Sequence, residues 1–156
     1  MCSIDMNFKK QLTYTTFIPH SLEKVFDFFS KAENLNEITP PSLHFTILSP
    51  LPIDLKKGAI ILYKIKLGFI PMRWKTEISS WNPPYEFTDK QLSGPYTTWI
   101  HTHKFEEVDG GVRMTDTIIY QSKGFFLAPL LHWLFVDNQV RQIFEYREQK
   151  LLSLFK

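Results

Sequence analysis

The sequence has few of the features that mark secreted or membrane-spanning proteins. It contains a single cysteine, Cys2, in 156 residues. It therefore forms no internal disulfide, and a reducing compartment is expected. No run approaches the ~20 apolar residues that a membrane-spanning helix needs. The N-terminal residues also lack the apolar segment of a signal peptide. These absences predict a soluble, cytoplasmic protein.

The chain also lacks an excess of charge of one sign. Its 18 Lys and Arg residues against 16 Asp and Glu residues give a formal net charge of +2. The basic residues are dispersed along the chain and do not form the basic patch on which nucleic-acid binding depends. We therefore expect no nucleic-acid partner.

Aromatic residues, in contrast, are abundant, with 14 Phe, 6 Tyr and 4 Trp. Aromatic side chains bury a large area with few rotatable bonds, which suits both cores and apolar binding sites. The length is typical of one domain that is large enough for a core and a cavity. We therefore predict a single domain over residues 1–156.

Seven segments rich in β-branched and aromatic residues predict strands, and turn residues separate most of them. They span residues 8–18, 44–48, 58–67, 72–81, 85–92, 96–108 and 112–120. Short connections between the last six require antiparallel neighbours. The pattern predicts a seven-stranded antiparallel sheet that curves strongly because of its twist.

Helical patterns follow the first strand and end the chain. Two short helices are expected after the first strand, one capped by Ser21 and one over residues 32–38. A long helix is expected over about residues 129–152, where one face recurs at three- and four-residue spacing. That face comprises Trp133, Val136, Val140, Phe144 (or Ile143), Arg147 and Leu151. The sum is an α+β fold in which a long helix lies across the concave face of the sheet.

Ionisable residues occupy the apolar side of the predicted hairpin over residues 96–120. Side chains alternate between the two faces of a strand, so His101 and His103 share a face with Trp99. A two-residue turn at Asp109 and Gly110, a strong hairpin signal, places His103 opposite Asp116. Burial of such groups is costly unless they are paired. We therefore predict a hydrogen bond between His103 and Asp116 in a partly polar pocket.

The neighbouring strand extends this polar group by the same alternation. Asp89 and Gln91 share a side with Phe87, so we expect a polar pole of Asp89, Gln91, His101, His103 and Asp116. The expected cavity measures a few hundred Å³, as small-ligand sites do. Its predicted apolar or weakly polar walls are Trp74, Thr76, Ile78, Phe87, Trp99, Met114, Ile118, Tyr120, Val136, Val140 and Phe144.

The polar pole has more than one interpretation. It is either a binding pole for the polar group of a ligand or a hydrogen-bonded structural network. His101, His103 and Asp116 also have the types and spacing of transition-metal ligands, but a metal site needs a further convergent ligand. A histidine backed by an aspartate is, in addition, a general base. No nucleophile or phosphate-binding motif accompanies it, so we assign no catalytic residue and expect no metal or cofactor.

Residues 124–135 form an unusually apolar segment after the last predicted strand. Its simplest interpretation is packing against the sheet edge. The functional interpretation is an entrance lid that touches a membrane surface transiently through Phe125, Phe126 and Leu127.

Several local strings resemble one family over about residues 8–152. They are PHSLEKVFDFF at 19–29, NLNEITPP at 34–41, WNPP at 81–84, FTDKQLSGPY at 87–96, WIHTHKF at 99–105 and MTD at 114–116. These strings resemble the START-like or SRPBCC superfamily, in particular a bacterial branch of ligand-binding SRPBCC domain proteins.

The resemblance implies a helix-grip fold and a ligand held between the sheet and the C-terminal helix. That ligand would be an apolar or amphipathic small molecule that is lipid-, quinone- or polyketide-like. The superfamily also contains cyclase- and dehydratase-type enzymes that use the same cavity, which is the first alternative. The second alternative is a protein-interaction module with a filled interior.

Overall fold

The structure, a computed structural model, describes residues 9–122 and 129–156, with the side chains of the last helix described from residue 136 onward. The strands are β1 (Lys10–Ile18), β2 (Thr46–Ile47), β3 (Ile60–Leu67), β4 (Ile70–Asn82), β5 (Glu86–Ser93), β6 (Tyr96–Val108) and β7 (Gly111–Ser122). The helices are α1 (Leu22–Phe29), two 3₁₀ helices (Ala32–Asn36 and Pro41–Leu43) and α2 (Pro129–Leu154).

The seven strands form one antiparallel sheet in the order β1-β7-β6-β5-β4-β3-β2. The chain therefore runs along the sheet by short hairpins from β3 to β7, a longer connection joins β2 to β3, and β1 forms the far edge by pairing with β7. The predicted seven-stranded antiparallel sheet is confirmed. Strand β2 is much shorter than expected, because only Thr46 and Ile47 pair with β3.

The short helices lie between β1 and β2. The Ser21 hydroxyl accepts a hydrogen bond from the Lys24 amide at 3.4 Å and caps α1, as predicted. The second predicted short helix is a 3₁₀ helix that ends at Asn36. A further 3₁₀ helix, which was not predicted, begins at Pro41. Proline fits the first position of a helix because its missing N–H would have no partner there.

The β6–β7 hairpin has the two-residue turn that its sequence predicts. Val108 pairs with Gly111, and Gly110 adopts a φ of +79°, a conformation that glycine reaches at little cost. This register places His103 opposite Asp116. The alternation of inner and outer side chains is therefore as predicted along the hairpin.

The inner face of the sheet packs into two hydrophobic clusters. The α1 cluster surrounds α1 and includes Phe26, Phe29, Phe87, Phe105 and Met114. The tryptophan cluster lies under α2 and includes Trp74, Tyr96, Trp99, Ile118, Tyr120, Val140 and Phe144. Between them, the middle of β6 and β7 presents polar side chains. Within the described part of the chain, no helix is long and apolar enough to span a membrane.

Candidate functional site

Two imidazoles and two carboxylates form a closed polar group between the two clusters. Asp116 Oδ1 lies 2.8 Å from His101 Nε2 and 2.9 Å from His103 Nδ1. On the other side of the rings, Asp89 Oδ2 lies 3.0 Å from His103 Nε2 and 3.5 Å from His101 Nδ1. Each histidine therefore stands between the same two aspartates. The predicted contact between His103 and Asp116 is present.

Arg147 of α2 completes this polar pole from above the sheet. Its Nε lies 3.4 Å from Asp116 Oδ2, and its Nη2 lies 3.3 Å from His103 Nδ1. The guanidinium also lies 5.3 Å from the centroid of the Phe29 ring. The observed polar pole contains Arg147 in place of the predicted Gln91. It comprises Asp89, His101, His103, Asp116 and Arg147, contributed by β5, β6, β7 and α2.

Aromatic rings fix the orientation of both imidazoles. His103 stacks on Phe87 with ring centroids 4.2 Å apart and an interplanar angle of 21°. His101 meets the ring of Phe144 nearly at a right angle, at 5.1 Å. Both histidines are buried, with 5% and 3% of their surface exposed. The polar pole is therefore enclosed by apolar side chains.

The surroundings shift the pKa values of the two histidines in opposite directions. Burial and the neighbouring charge of His103 lower the pKa of His101 to about 4, so His101 is neutral at pH 7. Burial also opposes a charge on His103. Its hydrogen bonds to Asp116 and Asp89 outweigh that effect and raise the pKa of His103 above its usual value.

Both carboxylates of the polar pole are stabilised in their charged form. Burial alone would raise the pKa of Asp116, but Arg147 and His101 hold it well below its usual range. Burial would also raise the pKa of Asp89, but the hydrogen bond from His103 and the nearby charge of Arg147 contribute to lowering it. The polar pole thus combines two carboxylates and one guanidinium with the two imidazoles.

A cavity of about 140 Å³ opens beside the polar pole, between the sheet, the 3₁₀ helices and α2. This volume is smaller than the few hundred Å³ predicted from the sequence. The reason is that aromatic side chains fill much of the concave face. Trp74 packs edge-on against Trp99 at 5.2 Å, and Trp99 stacks toward Phe144 at 6.5 Å. The remaining space is close to that of a cavity that holds benzene.

Nine of the predicted site residues line this cavity. They are Trp74, Thr76, Ile78, Phe87, Asp89, Trp99, His101, His103 and Phe144. Asp116 contacts both histidines but lies behind them, outside the cavity wall. Met114, Ile118, Val136 and Val140 belong to the packed core and are not wall residues.

Gln91 and Tyr120 take structural positions instead. The Gln91 amide donates to the Tyr96 carbonyl at 2.7 Å and accepts from the Tyr96 amide at 3.3 Å, which closes the β5–β6 turn. The Tyr120 hydroxyl donates to Asp137 of α2. Burial opposes the charge on Asp137, but hydrogen bonds from Tyr120, Lys10 and Arg141 lower its pKa to about 2. The proposed lid and membrane contact at Phe125, Phe126 and Leu127 lie outside the described residues.

Sequence reasoning missed part of the cavity wall and one member of the polar pole. The missed wall residues are Phe29, Ala32, Leu35, Thr39, Leu43, Phe45, Leu55, Ile61, Tyr63, Ile65, Leu67, Tyr96 and Ile143. The missed polar residue, Arg147, also lines the wall. Its signal was a charged residue in the apolar stripe of α2, and it was assigned only to that stripe.

Two polar groups stand along the otherwise apolar wall. The hydroxyl groups of Tyr63 and Thr76 form a hydrogen bond of 3.1 Å. The indole N–H of Trp74 is buried and has no hydrogen-bond partner among the residues that the structure describes. An unmatched buried donor is costly, so Trp74 is suited to meet an acceptor on a bound molecule.

The chain is similar to a known family and to several solved structures. The family described as "Polyketide cyclase / dehydrase and lipid transport" matches residues 18–145. No curated protein matches the sequence.

The crystal structure of the Zhui aromatase/cyclase from Streptomyces sp. R1128 superposes with a TM-score of 0.76 at 12% identity, over 94% of this chain and 93% of that one. Major latex-like protein 151 from Panax ginseng gives 0.65 at 13% identity, over 94% and 97%. The nucleoside-diphosphate sugar epimerase from Corynebacterium glutamicum gives 0.63 at 21% identity, over 91% of this chain and 28% of the epimerase chain. At these identities the likeness shows the fold alone.

Proposed function

The chain belongs to the polyketide cyclase/dehydrase and lipid transport family, within the START-like (SRPBCC) superfamily, and on that premise we propose that it binds a small amphipathic molecule in the cavity beside the polar pole. The observation that carries the proposal is the unequal distribution of polar and apolar side chains around the cavity wall. Aromatic and aliphatic side chains form most of it, and Asp89, His101, His103 and Arg147 form one side. An apolar space with a few convergent polar groups is the usual character of a small-ligand site.

The size of the cavity limits the ligand. A space of about 140 Å³ accommodates one aromatic ring or the end of a longer apolar molecule. A lipid-, quinone- or polyketide-like ligand would therefore place one ring or chain end inside, with the remainder toward the surface.

Two wall groups favour a ligand with both a donor and an acceptor. The side chain of Asp89 keeps 18% of its surface exposed, more than His101, His103 or Asp116. It is therefore the polar-pole carboxylate best suited to accept a hydrogen bond from a ligand hydroxyl. The unpaired indole N–H of Trp74 would in turn donate to a ligand oxygen. Such pairing contributes to selectivity, since an unmatched buried polar group costs free energy.

Tryptophan fluorescence tests the proposal, because Trp74 and Trp99 both line the cavity. We expect saturable quenching by p-cresol, and at least tenfold weaker binding of toluene, which lacks the hydroxyl. Ala32→Leu replaces a methyl group at the wall with an isobutyl group and should weaken p-cresol binding at least tenfold. Ile118→Val changes a buried residue outside the wall and is the matched control.

The outcomes distinguish ligand binding in this cavity from the protein-interaction module. Equal loss of p-cresol affinity in Ala32→Leu and Ile118→Val would contradict binding in this cavity. Equal affinities for p-cresol and toluene would contradict recognition by the polar pole. Native mass spectrometry of freshly purified protein provides an independent measurement, in which a retained small-molecule mass supports the proposal. An empty protein that also fails to bind p-cresol favours the protein-interaction module.

A further inference from the structure

We propose that Asp89, His101 and His103 form a binding site for one divalent transition-metal ion of the zinc, cobalt or iron(II) type at the wall of the cavity. One ligand atom from each of the three residues lies within 4.8 Å of the other two. The set is two imidazoles and one carboxylate, contributed by adjacent strands β5 and β6. This site concerns a metal ion and does not depend on the organic ligand proposed above.

The distances within the site fit a metal ion between the three side chains. Zinc binds imidazole nitrogen and carboxylate oxygen at about 2.0–2.2 Å, which separates tetrahedral ligand atoms by about 3.3 Å. Asp89 Oδ2 lies 3.5 Å from His101 Nδ1 and 3.0 Å from His103 Nε2. A metal ion would thus replace protons in this space with only small side-chain movements.

Asp116 is placed to orient both metal-binding imidazoles. It approaches the ring nitrogens that Asp89 does not, His101 Nε2 at 2.8 Å and His103 Nδ1 at 2.9 Å. A carboxylate that accepts the second N–H of a ligating histidine fixes its tautomer and strengthens its bond to the metal. Here one carboxylate performs this role for two histidines.

Arg147 decides which side of the imidazole pair would hold the metal. Its guanidinium contacts Asp116 and His103 Nδ1, so a cation already occupies the Asp116 side. Among the residues that the structure describes, Asp89 forms its ion pairs with the two imidazoles, and it lines the cavity. The sequence suggested Asp116 as the carboxylate ligand, whereas the structure favours Asp89 in that position.

The charges of the buried group favour a cation at this point. A metal ion binds neutral imidazoles, and in that state Asp89 and Asp116 exceed Arg147 by one negative charge. The metal ion would balance this charge in place of a proton on the imidazole pair, and a buried net charge is costly otherwise. Two nitrogen ligands favour zinc, cobalt or iron(II) over magnesium or calcium, which prefer oxygen. Three protein ligands would leave a coordination position for a molecule in the cavity.

Metal binding can be measured directly on the full chain without any organic ligand. Every protein would carry Cys2→Ser, because a thiol is itself a strong zinc ligand. After removal of metal with a chelator, Zn²⁺ is added and the excess is removed by gel filtration. We expect one Zn²⁺ per chain, and a visible Co²⁺ absorption typical of low-symmetry nitrogen and oxygen coordination.

Two variants locate the metal. Asp89→Asn keeps the shape of the side chain, removes its charge and should weaken Zn²⁺ binding at least tenfold. The control variant removes every other histidine of the chain through His20→Gln, His44→Asn and His132→Gln, and should bind like the parent. Imidazole ¹⁵N chemical shifts of the parent protein test the site without relying on a folded variant. Addition of Zn²⁺ should shift the signals of His101 and His103.

Absence of retained Zn²⁺ in the parent would overturn the proposal, as would loss of binding in the three-histidine control. Chemical shift changes confined to His20, His44 or His132 would do the same. Binding of p-cresol to the metal-free protein is measured separately. Failure of the metal site is therefore distinguishable from failure of the proposed function.

Discussion

The buried contact between Asp116 and Arg147 leads to a sharp prediction about stability. Asp116→Leu removes a carboxylate that contacts two histidines and Arg147. Arg147 is only 7% exposed, so its guanidinium would lose its contact with this carboxylate in the interior. Breaking a buried ion pair from one side costs about 3–5 kcal/mol, and we expect a loss of this size in the free energy of unfolding.

Substitution of the other partner, Arg147, should lower the free energy of unfolding by less. In Arg147→Met, Asp116 still accepts from His101 and His103, and the long apolar side chain still fills the space. We expect a loss of about 1–3 kcal/mol. The double variant has no unpaired guanidinium. Its loss in the free energy of unfolding should therefore not exceed that of Asp116→Leu alone.

Urea unfolding of the metal-free protein at pH 7, followed by tryptophan fluorescence, measures all four proteins of this cycle. The expected coupling between the two positions is at least about 1 kcal/mol, as for residues in direct contact. Losses that add within about 0.5 kcal/mol would show that Asp116 and Arg147 act independently. That result would refute the account of the polar pole as one electrostatic unit.

Two further predictions concern the frame around the polar pole. Gly111→Ala should destabilise the protein by about 1–3 kcal/mol in urea unfolding, because its Cβ would collide with the backbone of Ile18 and Pro19. Gly110→Ala lies at positive φ, where the added Cβ would make only an ordinary van der Waals contact with Phe17 at 3.8 Å, so it should cost only about 1 kcal/mol. A larger loss in Gly110→Ala than in Gly111→Ala would contradict this packing. Because the pKa of Asp137 is lowered to about 2, the folded state binds fewer protons there than the unfolded state. The parent should exceed Asp137→Asn in free energy of unfolding by roughly 1 kcal/mol above about pH 4, and this difference should disappear toward pH 2. A difference that stays constant with pH would contradict the prediction.

Local rules were sufficient for the sheet and for the centre of the polar pole. Alternation along β6 and β7 places His101, His103 and Asp116 on the inner face, and the Asp109–Gly110 turn fixes their register. Helical spacing likewise identifies the buried face of α2, since Val140, Phe144, Arg147 and Leu151 are all buried. These features depend on neighbours close in sequence or on one short turn, so the sequence determined them by itself.

Only the tertiary structure decided which of these faces meet. The docking of α2 across the sheet brings Arg147 to Asp116, and no periodicity encodes where one element crosses another. Gln91 shares the inner parity of Asp89, yet β5 no longer pairs with β6 at this point and the Gln91 amide closes the turn. The cavity volume could not be predicted from the sequence either. It is the small difference between the space enclosed by the sheet and the summed volume of side chains from distant segments, including both 3₁₀ helices.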